Sequence, residues 1–295
     1  MSVRRELPQR GAASAGRRFW QGIEVVHDVV YFAPDIRERF DAIGLKGWWM
    51  AYFAHRSAAL GTPGPELVTA LFYGFAPRLV ERALPDAWQR ADREEILATR
   101  LQLARDRLTP AVAPNGNAHL ERLAADLTTV VDGLDFAGRA LAGAHATVPR
   151  PDDALGRLWW AATVLREYRG DSHVAVLVAS ELDGAMANAL AVADGRAPAH
   201  QREARGWTEE EWAAAYGRLR GRGWVGDDDL VTAAGRAARA EIEVQTDRAC
   251  SSCFDEPMRQ VATAVTPALI DLAGAINSTG AVTFPNPTAT SLPSR

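Results

Sequence analysis

The densest set of chemically able side chains is Arg166-Glu167-Tyr168-Arg169-Gly170-Asp171-Ser172-His173, set between apolar stretches. An imidazole, two carboxylates and two guanidiniums within eight residues suffice for ligand binding or acid–base chemistry. Gly170 is expected to end one helix, and Asp171 or Ser172 to cap the next. His173 then falls in the first turn of an apolar helix (Val174 to Val178), where the helix dipole lowers an imidazole pKa. That leaves a neutral base or hydrogen-bonding partner near pH 7. Asp171 or Glu167 is placed to orient the ring, and Arg169 completes the candidate catalytic set of His173, Asp171 and Arg169. The same residues also suit a plain helix–helix corner, with Asp171 capping and Arg169 solvated.

A second cluster is aromatic. His27, Tyr31, Trp48, Tyr52, His55, Arg56 and Tyr73 lie among Phe32, Trp49, Phe53, Phe72 and Phe75. Three- and four-residue spacing puts Tyr52, His55 and Arg56 on one helical face, with Trp48 one turn before Tyr52. Core packing accounts for much of this density, yet the Tyr, His and Arg tips need polar partners. Those seven residues, with Arg166, are the candidate ligand-binding set, forming a cleft for an aromatic or hydrophobic small molecule. Cys250-Ser251-Ser252-Cys253 is a lone CxxC with no further Cys or His nearby, so it reads as an incidental thiol pair and no metal is expected. Without GxGxxG, Walker A, HExxH or GxSxG signatures, no cofactor is expected either.

The elements that must position these groups are helical. Leu120, Leu123, Leu127, Val130, Leu134 and Leu141 recur at helical steps with one seven-residue gap, as do Val261, Val265, Leu269, Leu272 and Ile276. Each set predicts a long amphipathic helix, and residues 117–144 or 255–276 are the candidate faces for a homodimer. Pro34, Pro65, Pro151 and Pro257 stand where helices should begin. Residues 1–18 read as a flexible arm, 19–148 as an N-terminal helical lobe, 149–280 as a C-terminal lobe and 281–295 as an irregular tail. A degenerate duplication is also legible: GWWMAYFAHR (47–56) matches LWWAATVLRE (158–167), both Trp pairs falling in register at a step of 111 residues. Two facing lobes with a cleft between them would follow.

The 295 residues carry a net charge of −4 and 47% apolar residues, and Lys46 is the only lysine. This gives no global attraction to nucleic acid or anionic membrane. Apolar runs well short of about 20 residues predict no membrane span. The absence of an apolar leader and the two cysteines predict a cytoplasmic location.

The most informative stretch is 205–247. Thr208 and Glu211 form a capping box, Trp212, Tyr216 and Leu219 mark one helical face, and Gly221 and Gly223 end it. Trp224-Val225 and Leu230-Val231 read as two short strands around an Asp227–Asp229 turn, and Thr232 caps a long helix to Asp247. Helix, two-stranded wing and helix resemble the corresponding part of MarR-type winged-helix regulators. The phrases VVHDVVYFAPD (25–35), GWWMAYFAHRSAALG (47–61), FYGFAPRLVERALPDAW (72–88), LREYRGDSHVAVLVASELDG (165–184) and RGWTEEEW…LVTAAGR extend the likeness. Over residues 20–287 the chain resembles an actinobacterial helix-turn-helix family, with Tyr168 and Ser172 where that pattern has His and Gly. The resemblance implies a mainly α, winged-helix-derived fold and no particular reaction. DNA binding is disfavoured, because Glu209–Glu211 and Asp227–Asp229 put carboxylates where such a module meets phosphates. The expected function is therefore small-molecule binding on a winged-helix scaffold. A cofactor-independent cyclase, isomerase or lyase using the same pocket, or a MarR-like regulator, are the alternatives.

Overall fold

In the computed structural model, the described residues are 15–293 apart from Thr283, Pro285 and Ala289. The helices run α1 (Ala15–Asp28), α2 (Ile36–Ala42), α3 (Gly47–Ser57), α4 (Pro65–Phe72), α5 (Pro77–Glu81), α6 (Asp86–Arg90), α7 (Arg93–Val112) and α8 (Asn117–Asp132). They continue as α9 (Ala140–Thr147), α10 (Ala154–Ala179), α11 (Gly184–Ala193), α12 (Gln201–Ala204), α13 (Glu209–Gly221), α14 (Ala233–Ser251) and α15 (Glu256–Ser278). The fold is mainly α. Among the described residues the one β interaction is an antiparallel bridge between Val225 and Val231.

The spine is α10, 26 residues and roughly 39 Å long at 1.5 Å per residue. Its first half, from Leu158 to Tyr168, is buried in the larger core with α1, α3, α7, α8 and α15. Its last turns place Val176 and Leu177 in a smaller core with α11, α13, Val225 and Ile242 of α14. The two cores therefore divide the chain differently from a boundary at 148/149, since α15 returns to pack along α1. Gly22 permits that crossing: a Cβ there would lie 2.8 Å from the Leu269 Cβ.

Several local expectations change. α10 passes straight through Gly170, so His173 is mid-helix rather than in a first turn. Burial on several sides holds the helix there, and one glycine costs about 1 kcal/mol, less than a helix end. The seven-residue gap before Leu141 is where α8 stops and α9 starts. Ala15–Arg18 begin α1 instead of belonging to an arm, and residues 1–14 lie outside the described residues. In the expected tail, Asn286 and Thr290 are buried against α1. α15, at 23 residues, is long and apolar enough to cross a membrane, more than its run lengths indicated. Its Val265, Leu269, Leu272 and Ile276 are nonetheless buried against α1, α7 and α8. The stripes nominated for a homodimer are thus covered within the chain.

Candidate functional site

A cleft of about 240 Å³ opens between the two cores, lined by α1, α3, the α4–α5 corner, Leu141 of α9, α10, α11, α12, α14, and Pro287, Thr288 and Ser291. Tyr52, Phe72, Tyr73 and Phe75 form its aromatic wall, and seven arginines face four carboxylates around the rest. The lining is more charged than the aromatic or hydrophobic ligand of the sequence reading required.

At its centre Arg56 grips Glu167 with two hydrogen bonds, Nε to Oε1 at 3.0 Å and Nη2 to Oε2 at 2.9 Å. Arg166 donates to the same Oε2 at 2.7 Å. Both cations hold the Glu167 carboxyl well below the usual range, although burial opposes them. Arg56 and Glu167 are 111 residues apart, the step that relates the two tryptophan pairs. Tyr73 and Gly184 share that step, and a Cβ on Gly184 would come within 2.1 Å of the Tyr73 carbonyl. Only glycine allows that approach. Tyr73 also donates its hydroxyl to the Leu182 carbonyl.

His173 lies on the far wall, half-buried. Thr246 donates its one hydroxyl proton to the Ile242 carbonyl at 2.8 Å, so its oxygen accepts from His173 Nδ1 at 3.0 Å. This fixes the tautomer and leaves the lone pair on Nε2. Burial pushes the ring down to about 4, with Glu243 opposing and Arg169, Arg239 and Arg196 adding to the drop. The direction matches the sequence expectation, but the cause is desolvation and not a helix terminus. Asp171 does not orient the ring. Its Oδ2 accepts from the Leu141 and Ala142 amides, each at 3.0 Å, capping α9, and burial raises it to about 6. Arg169 sits in an ion-pair network with Glu243 (2.8 Å) and Asp247 (3.2 Å).

Of the sequence-nominated residues, the cleft brings together His173, Asp171, Arg169, Tyr52, Arg56, Tyr73 and Arg166. His27, Tyr31 and His55 are instead sealed in the larger core. His27 bonds Thr163 (3.1 Å) and Tyr31 (2.9 Å) and stacks parallel to Trp159. His55 lies between the rings of Tyr31 and Phe40. Trp48 packs on Tyr52 outside the cleft lining. Helical spacing correctly placed these rings on shared faces, but the face points into a core that also buries Arg100. Sequence reasoning missed Arg205, Asn188, Gln201 and Glu243, all of which line the cleft. They come from α11 to α14 and carry no local signature, because each acquires its role only through long-range packing.

Beyond the cleft, α11, α12 and α13 form a compact helical turn. The Thr208–Glu211 capping box is present, with Glu211 N to Thr208 Oγ1 at 3.2 Å and Thr208 N to Glu211 Oε2 at 2.8 Å. A helix-turn-helix family profile matches residues 16–283. The chain belongs to that family. No curated protein and no solved structure matches it. In this helix-turn-helix protein Glu209, Glu210 and Asp227–Asp229 are exposed. Three arginines at the end of α13 are already paired, Arg218 with Asp183 (2.5 Å), Arg220 with Asp229, and Arg222 with Glu181 (2.9 Å), while exposed Arg236 of α14 donates to the Val231 carbonyl. Among the described residues no cluster of His, Cys, Asp and Glu could hold a metal ion. Cys250 and Cys253 are free thiols, and Cys253 Sγ lies 2.8 Å from the Tyr168 hydroxyl.

Proposed function

We propose that this protein binds a small molecule in the cleft between its two cores, on a MarR-like winged-helix scaffold. One observation carries the reading: the cavity is built from both cores at once, and its charged groups are held in place by ion pairs and hydrogen bonds with one another across it. Such preorganised concavity between packed units is the usual setting of a ligand site. The MarR-like element is supported by the capping box, the Val225–Val231 bridge, and Thr232, whose oxygen accepts from the Gly235 amide at 3.0 Å.

Turnover is the weaker form of this reading. A general base works best with a pKa near the operating pH, and a neutral His173 held near 4 serves better as a hydrogen-bond acceptor.

Family membership favours a second reading, DNA binding. Against it stand the exposed carboxylates at both ends of the module and the internal pairing of Arg218, Arg220 and Arg222, which together oppose phosphate neutralisation. Native mass spectrometry of the full chain with a small-molecule library is expected to yield a one-to-one adduct. A gel shift at low salt is expected to show no retarded species, whereas tight sequence-dependent retardation would replace the ligand reading with the regulator one.

A further inference from the structure

The three arginines of the cleft's inner corner do not share their negative charge equally. Glu167 accepts from two N–H groups of Arg56 and one of Arg166. Arg205, from the α12 C-cap, makes no ion pair among the described residues. It donates to the Pro287 carbonyl, lies 4.3 Å over the Phe75 ring, and leaves its buried Nε without a partner. Two nearby amide side chains have their N–H groups fully engaged: Asn188 Nδ2 donates to the Gly74 and Gly184 carbonyls, and Gln201 Nε2 to Asn188 Oδ1 and the Pro287 carbonyl.

The other cleft carboxylates are engaged elsewhere: Asp171 caps α9, Glu243 pairs with Arg169 and Arg239, and Glu24 lies 3.9 Å from Arg169. Asp28, outside the lining, accepts from Thr288 (3.0 Å) and Thr290 (2.5 Å). Two guanidiniums therefore share one fully engaged carboxylate, and a third, Arg205, stands near them in the same cavity, which is too small for a nucleic-acid strand. Buried charge without a counter-charge is costly, and guanidiniums match planar or tetrahedral oxyanions with paired N–H donors.

We propose that Arg56, Arg166 and Arg205 form a receptor for the carboxylate or phosphate of an organic anion, its body resting on Tyr52, Phe72 and Phe75. This rests on the cleft reading above and adds the ligand's charge to it. Burial weakens the charged form of Arg205, with Tyr52 opposing it and the neighbouring Arg56 and Arg166 adding to the drop, so an arriving anion would stabilise all three.

The probes are benzoate, phenyl phosphate and the neutral benzamide, titrated into the full chain by calorimetry and thermal shift. Benzoate, phenyl phosphate or both are expected to bind at least tenfold more tightly than benzamide, with affinity falling as salt rises. Arg205→Gln is expected to weaken the anion about tenfold to a hundredfold, one charge-assisted hydrogen-bonded contact's worth, with Arg205→Lys intermediate. A preference for one anion tells carboxylate from phosphate. Equal binding of benzamide, or no loss in Arg205→Gln, would overturn the inference while leaving the cleft itself as a ligand site. No binding of either anion to the wild type overturns it as well. The cleft reading is then judged separately, by whether neutral library compounds bind the wild type and not a cleft-filled variant.

Discussion

Glu167 is the residue on which most of the interior electrostatics turns. It is fully buried, answers two arginines, and sits beside Arg100, which is buried and forms no ion pair among the described residues. Removing one partner of a buried ion pair leaves the other charge uncompensated. Glu167→Gln should therefore lower stability by about 3–5 kcal/mol in urea titration. Replacing Arg56 and Glu167 together by Met and Leu should cost much less, and a double loss equal to the single one would refute the pairing. The histidines add a pH dependence. His27, His55, His145 and His173 all have folded-state pKa values below the ordinary 6.5, chiefly through burial. Each contributes stability that is present above 6.5 and is lost as pH falls toward the folded value. Asp28 and Asp171, raised to about 6, act oppositely, since the folded state takes up their protons first. Four histidines outweigh two aspartates, so unfolding near pH 5 should take up about two protons. Stability should fall steadily from pH 6.5 to 5, and a flat profile by calorimetry would contradict these assignments.

At the scale of elements, some of the architecture was plain in the sequence and some was hidden. The Thr208 capping box, the Thr232 cap and the proline-led starts of α4 and α15 follow from local chemistry, and each is present. Gly170 misled because glycine's preference for helix ends is worth less than the packing on both sides of α10. The aromatic helix α3 misled differently: periodicity tells which residues share a face but not whether that face meets a cavity or a core. His55 and Tyr31 look like pocket residues until α2 and α10 close over them. The LVTAAGR phrase has a direct physical reading. Thr232 caps Gly235 while its hydroxyl donates to the Gly223 carbonyl at 2.6 Å, and a Cβ at Gly235 would strike the Trp224 carbonyl at 2.1 Å. Gly235→Ala should therefore destabilise the Val225–Val231 bridge and α14 by about 1–3 kcal/mol, as overpacking against backbone does. Hydrogen exchange should show the loss concentrated in residues 223–240, and a neutral substitution would mean that the bridge is not held there.

Across the whole molecule, α10 is what couples the helix-turn-helix module to the larger core. It carries Glu167 toward Arg56, Asp171 toward α9 and His173 toward α14, so one straight helix sets most of the cleft's geometry. Arginines that would otherwise face solvent are drawn into pairs across this boundary, such as Arg78 with Glu211 at 2.7 Å. The module is thus tied into the body of the protein, with its acids left outward. This arrangement suits a fixed binding cleft better than a free DNA-reading domain. Ala187 and Ala191 of α11 line the cleft and leave room that a larger side chain would fill. The most direct test is a thermal-shift screen of one compound library against the wild type and Ala191→Trp. Compounds that bind the cleft should raise the wild-type melting temperature by mass action and leave that of the filled variant unchanged. If the same compounds stabilise both proteins equally, or none stabilises the wild type, the cleft is not where this protein meets its ligand.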